Sequence, residues 1–252
     1  MTTQLIFFGY SGYKIITPEG KHIVIDPFLT GNPVAPFTPE TLGRVDLLLI
    51  THNAYDHFGD SPEILKRYHC PVICAKDVSH NLTQVHKVDP DLIRVTIWGM
   101  AMEVEGIPVR PVPSIHWSFG VTRENQLLSG PAMGFIIETQ PNLRIYHPGD
   151  TAITQDMKIW GELYRPTIGL MHVTLPENSL PHMECYLCGE LTPYEAVLAS
   201  QWLGLEHIIA SHYISVDSPD IKLFLGEAEK AKAKGELDAK ISVINPGEIL
   251  EL

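Results

Sequence analysis

Short apolar runs broken by Gly, Pro and Asp dominate the first half of the chain, the pattern of half-buried and buried strands. Gln4–Gly9, Tyr13–Thr17 and His22–Asp26 read as strands. Pro18-Glu19-Gly20 supplies the turn between the last two, and Asp26-Pro27 ends the third sharply. Asp46–Ile50 is apolar after its first residue and predicts a buried strand. Leu92–Trp98, Ile107–Val112, Gly134–Glu138, Leu143–His147 and His207–Ala210 complete the predicted strands. Helical spacing appears at Ser61–Tyr68, with Ser61 as N-cap and Glu63 in the first turn. It recurs over Thr151–Tyr164 and from Thr192 to about Gly204, where Thr192 caps and Pro193 takes the first helical position. Asp220–Lys234 predicts a charged amphipathic helix. Strands alternate with helices in both halves, so helices are expected on the outside of stacked sheets in an α/β fold.

With 252 residues, no repeats and no Gly/Ser linker, one domain spanning 1–252 is the simplest organisation. The net charge of −12 argues against non-specific nucleic-acid binding, which needs a basic footprint. No apolar run approaches the roughly 18 residues of a membrane span, and Met1-Thr2-Thr3-Gln4-Leu5 lacks the basic and apolar regions of a signal peptide. The expected compartment is the cytoplasm, where Cys70, Cys74, Cys185 and Cys188 are thiols rather than disulfides.

The chemistry concentrates where strands end. After Asp46–Ile50 comes Thr51-His52-Asn53-Ala54-Tyr55-Asp56-His57, whose imidazoles and carboxylate suit zinc and related divalent ions. A turn at a strand's C-terminal end is where α/β proteins build sites. Three more apolar strands each lead to a metal-capable residue: His116, Asp150 and His212. A lone histidine after a strand is more often packed than ligating; only the order of all these residues together points to a metal.

That order, Asp26, the 52–57 cluster, His116, Asp150, His212, resembles the motif order of the metallo-β-lactamase superfamily, with Ala54 where the His-x-His-x-Asp-His signature has its second histidine. Asp26-Pro27-Phe28-Leu29-Thr30-Gly31-Asn32-Pro33, Gly130-Pro131-Ala132-Met133-Gly134-Phe135, Tyr146-His147-Pro148-Gly149-Asp150-Thr151 and Gly161-Glu162-Leu163-Tyr164-Arg165-Pro166 resemble its branch of metal-dependent hydrolases akin to ascorbate-6-phosphate lactonases. The resemblance implies a four-layer αββα sandwich. It implies two divalent ions, zinc first and manganese second, one beside His52 and His116 and the other beside Asp56, His57 and His212. Asp150 would bridge them, and Asp26 would orient a ligand without binding metal. Hydroxide formed on the metals would attack an ester, lactone or phosphoester bond of a small soluble substrate, with Asp56 and Asp150 as the catalytic carboxylates. A homo-oligomer is expected by the same resemblance, with no nucleic-acid or membrane partner.

Two departures qualify this picture. Alanine donates no lone pair, so the first ion is expected to bind more weakly and activity to be impaired, with one ion rather than two as an alternative. Ala54 is open to three readings: an introduced change, a natural variant whose remaining or replacement ligands suffice, or a member that keeps the fold only to bind metal or ligand. The second departure is 168–192, longer than in relatives, where Cys185-x-x-Cys188 with His182 and Glu190 could supply a replacement ligand or form an ordinary loop. Trp117, His172, His182 and Glu190 are candidates to line the substrate site, and His147 to support the Gly149-Asp150 turn. His52-Asn53-x-Tyr55-Asp56-His57 also resembles phosphodiesterases of N-acyl-ethanolamine phospholipids, a narrower alternative.

Overall fold

A computed structural model of the chain describes residues 2–122, 124–174 and 190–252. The first half supplies β1 (Gln4–Phe7), β2 (Tyr13–Ile16), β3 (His22–Ile25), β4 (Leu47–Leu49), β5 (Val72–Cys74) and β6 (Ile93–Val95), with helices α1 (Tyr55–Phe58), α2 (Ser61–Tyr68) and α3 (Lys76–His80) between them. The second half supplies β7 (Met102–Val104), β8 (Ile107–Val121), β9 (Leu127–Gln140), β10 (Leu143–His147), β11 (Ile168–His172), β12 (His207–Ser211), β13 (Lys240–Ser242) and β14 (Ile249–Glu251). Its helices are α4 (Asp156–Tyr164), α5 (Pro193–Leu203) and α6 (Pro219–Ala233).

The strands form two seven-stranded mixed sheets, ordered β14-β1-β2-β3-β4-β5-β6 and β13-β12-β11-β10-β9-β8-β7. In each, an antiparallel run (β1 to β3, β7 to β10) gives way to parallel strands joined by crossovers. Strand alternation sorts the first sheet's residues. Leu5, Phe7, Ile15, Ile23, Ile25, Leu47 and Leu49 join the core shared with the second sheet, while Ile6, Phe8, Val24, Leu48 and Ile50 pack with Ile64, Leu65 and Val78 of α2 and α3. Met157, Trp160, Ala196, Val197, Ile221 and Phe224 of α4, α5 and α6 join the core of the second sheet. The result is a four-layer αββα sandwich, with the two sheets face to face and helices on both outer faces.

Several boundaries differ from the sequence expectation for identifiable reasons. Asp60, not Ser61, occupies the cap position of α2, and its carboxylate instead accepts from the backbone amides of Leu29 and Thr30, both at 2.8 Å. The segment after Asp150 is not helical until Asp156, because Ile115 N–H donates to Thr151 Oγ1 and Ala152 N–H to Ile115 O, tying it to β8. Strand β6 stops at Val95, where the Thr96 hydroxyl donates to Met100 O across a turn. Strands β8 and β9 run far beyond their predicted ends as one long hairpin. The α5 cap is as expected: Thr192 and Glu195 form a reciprocal capping box.

Candidate metal centre

The parallel strands all deliver their C-terminal ends to one rim. At the end of β3, Asp26 adopts a left-handed backbone (φ 45°). Its carboxylate accepts from Thr51 N at 2.9 Å and Thr51 Oγ1 at 2.7 Å, and pairs with His57 Nδ1 at 2.7 Å. His52 Nδ1 lies 3.0 Å from the same Thr51 hydroxyl. Both rings are therefore fixed through their outer nitrogen, with Nε2 turned inward. Asn53 anchors the loop on the other side. Its amide donates to Asp77 Oδ2 at 2.9 Å, its oxygen accepts from Asn81 at 3.0 Å, and Ser118 donates to Asp77.

The second sheet contributes the rest. His116 lies in the register shift of β8 between Pro113 and Trp117, the irregularity that re-aims a side chain off a regular ladder. Asp150 follows the β10 turn through Gly149 (φ 59°), where a Cβ would meet Thr51 Cβ at 2.9 Å. His147 buttresses that turn: its Nδ1 accepts from Gly149 N at 3.1 Å and its Nε2 donates to Ser11 O at 2.8 Å. His172 ends β11, with Nε2 2.8 Å from Ser11 Oγ. His212, after β12, has a left-handed backbone (φ 67°); its amide donates to Tyr10 O and its Nδ1 to Thr174 O, both at 2.8 Å. A non-glycine residue held there is backbone strain of the kind found at functional sites.

The inward atoms converge on Asp150. His57 Nε2 and His172 Nδ1 stand 3.0 and 3.1 Å from its Oδ1, and His212 Nε2 3.4 Å. His116 Nε2 and His52 Nε2 stand 3.8 and 3.9 Å from its Oδ2. Among the described residues, three sets of potential metal donors emerge: His52, His116 and Asp150; Asp56, His57 and His212; and Asp150, His172, Glu190 and His212. His52 Nε2, His57 Nε2, Asp150 Oδ1, His172 Nδ1, Glu190 Oε2 and His212 Nε2 are buried without a hydrogen-bond partner. Buried polar atoms ordinarily have hydrogen-bond partners, so this close convergence of imidazole nitrogens and carboxylate oxygens that form no hydrogen bond fits a divalent cation.

Electrostatics agrees with that fit. Burial opposes charge on His57 and His212, yet Asp150 and neighbouring carboxylates outweigh it, holding His57 well above the usual imidazole range and His212 up at about 9. Burial also opposes charge on Asp150, but His57 and His212 hold it well below the usual carboxylate range. Burial pushes Glu190 up to about 7, with Asp150 adding to it, and His172 down to about 3 with His212 adding to it. A cation would replace the protons that now balance these carboxylates.

The structure thus gathers His52, Asp56, His57, His116, Asp150 and His212 at one point, with Asp26 and His147 behind them. It also brings in His172 and Glu190, which the sequence offered only as substrate-lining candidates. Trp117 is exposed with its ring centroid 5.6 Å from that of His116. Ala54, half-buried at the start of α1, offers no side-chain donor; its carbonyl accepts from His57 and Phe58. His182, Cys185 and Cys188 lie outside the described residues. Cys70 and Cys74 are buried free thiols. Among the described residues no helix is long and apolar enough to cross a membrane.

This fold and donor set define a class. The family description "Beta-lactamase superfamily domain" matches residues 21–213, and the chain belongs to that superfamily. Relatives from Archaeoglobus fulgidus and Thermococcus onnurineus, each named "UPF0173 metal-dependent hydrolase", are 34% and 33% identical, with 98% of both chains covered in each case. Among solved structures, a novel metallo hydrolase from Ignicoccus hospitalis matches with a TM-score of 0.76 and 25% identity, covering 100% of this chain and 99% of its own. The chain is accordingly a metal-dependent hydrolase of the metallo-β-lactamase fold.

Proposed function

We propose that the chain hydrolyses an ester, lactone or phosphoester bond of a small soluble substrate at this centre. The observation that carries the reading is the set of buried, inward-facing donor atoms left without a hydrogen-bond partner while the outer nitrogens of their imidazoles are held. His52, Asp56, His57, His116, Asp150 and His212 would hold divalent ions, zinc before manganese, since mixed imidazole–carboxylate shells accept both. Bound there, the ions would supply a nucleophile from water near neutral pH and offset negative charge developing on the substrate. Asp56 serves as proton acceptor. Burial works against its charge, but the neighbouring imidazoles of His57 and His212 hold its carboxyl below the usual range, so it stands ready as a carboxylate. Its Oδ2 lies 3.7 Å from His212 Nε2.

Substrate reaches the centre past His116, whose side chain is 19% exposed while His52, His57 and His212 are closed off. Trp117 and Phe119, exposed beside it on β8, form an apolar wall for the substrate's body. Ala54 leaves the His52–His116–Asp150 group with three donors; zinc functions with three protein ligands plus water, so this ion is held weakly rather than excluded. Activity should therefore depend on supplied metal. The test is a panel of lactones, phosphodiesters and acyl esters offered to the metal-loaded chain and to Ala54→His. Turnover of one class supports the reading. No turnover by either protein leaves a ligand-binding member of the fold.

A further inference from the structure

We propose that Asp150, His172, Glu190 and His212 form a closed four-donor metal position that the superfamily motif order does not contain, and that it holds the tighter of the chain's ions. This position rests on the metal-centre reading above and deepens it. One potential ligand atom from each residue lies within 4.8 Å of every other. The side chains are at most 7% exposed, and Asp150 Oδ1, His172 Nδ1, Glu190 Oε2 and His212 Nε2 lack hydrogen-bond partners. The His172 and His212 rings stack at 4.4 Å with 9° between planes, a close pairing of two imidazoles, one of which has its outer nitrogen on Ser11 and the other on Thr174. Histidine ligands are oriented in this way, through the nitrogen that does not face the metal. Glu190 reaches the cluster two residues before Thr192, the α5 cap, its Oε2 3.8 Å from His212 Nδ1.

The two departures from the family pattern become complementary. Ala54 removes a donor from one side of Asp150, and the 168–192 region adds His172 and Glu190 on the other. Four protein ligands leave zinc no open position, as in sites where the metal serves structure, whereas three leave one for water. The His172–Glu190 position would then hold its ion firmly, and the His52–His116–Asp150 group would be the one open to substrate. His212 is shared with Asp56 and His57, so an ion on the four-donor position competes with one centred on that pair.

Metal-free chain, Glu190→Gln, His172→Gln and Ala54→His are titrated with Zn²⁺ against a chromophoric chelator. Glu190→Gln and His172→Gln are each expected to weaken the tighter ion about tenfold or more, while Ala54→His leaves that ion unchanged and strengthens the weaker one. Wild-type affinity for the tighter ion in either variant at 172 or 190 overturns the site. Glu190→Gln preserves size and shape, and circular dichroism of the metal-free form checks its fold, so the test still decides if His172→Gln fails to fold. Turnover plays no part in this readout, which separates failure of the site from failure of the hydrolase reading.

Discussion

On one side of Asp150 stand His52 and His116; on the other stand His172, Glu190 and His212. The first flank opens to solvent through His116 and borders exposed Trp117 and Phe119. The second is walled in, with His172 and His212 fully buried and each ring's outer nitrogen spoken for. Among the described residues the flanks also differ in donor number: three potential ligands on the open side, four on the closed side. A site that must admit substrate needs an unfilled coordination position and a path to it, while a site that must keep its ion needs burial and a full donor set. On the proposed reading, the centre divides these tasks between its two sides.

The comparison fails at once if Asp150 is dispensable, because it belongs to both flanks. Asp150→Asn is expected to lower turnover by about 10²–10³-fold or more, the scale of losing a charge-stabilising group, as measured by steady-state kinetics on the best substrate of the panel. Metal binding should also follow pH with a defined sign. His212 holds its proton up to about pH 9 in the metal-free chain, so below that pH an ion must displace it. Apparent affinity should rise about tenfold per pH unit for each proton displaced, with His212's share levelling off above about 9, and calorimetry in buffers of different ionisation enthalpy counts those protons. Flat affinity from pH 6 to 9 would remove His212 from the ligand set.

Smaller effects sharpen the difference between flanks. Ala54→His should tighten the weaker ion by about tenfold and remove the need for added metal in the assay; unchanged metal dependence would mean that position 54 does not face that ion. Trp117→Ala should raise KM about three- to tenfold with kcat little changed, the effect of losing about 1 kcal/mol of apolar contact. An unaltered KM would place the substrate elsewhere.

Much of this centre was legible because each donor follows an apolar strand, and strand ends on a sheet rim are brought together by topology. His52, Asp56, His57, His116, Asp150 and His212 all carry that mark. His172 carries it too, but an imidazole ending a wholly buried strand looks the same whether it packs or points at a metal. Only the β10–β11–β12 register, which sets it beside Asp150 and His212, separates the two. Glu190 follows a stretch without apolar periodicity, so nothing local marks it. The long β8–β9 hairpin was hidden by Pro108, Pro111 and Pro113, which interrupt a strand pattern in sequence yet are accommodated in the ladder up to the irregularity before Trp117. Thr151–Gln155 read as helical because the competing bonds to Ile115 come from a strand distant in sequence.

The most direct test is metal content per chain, measured by plasma mass spectrometry after exhaustive dialysis against metal-free buffer, on the wild type and on Asp150→Asn. Tightly held divalent metal on the wild type and its loss from the variant is the expected result. A wild type that hydrolyses substrate without metal, or an Asp150→Asn protein that keeps its full complement, would contradict a metal centre built around Asp150.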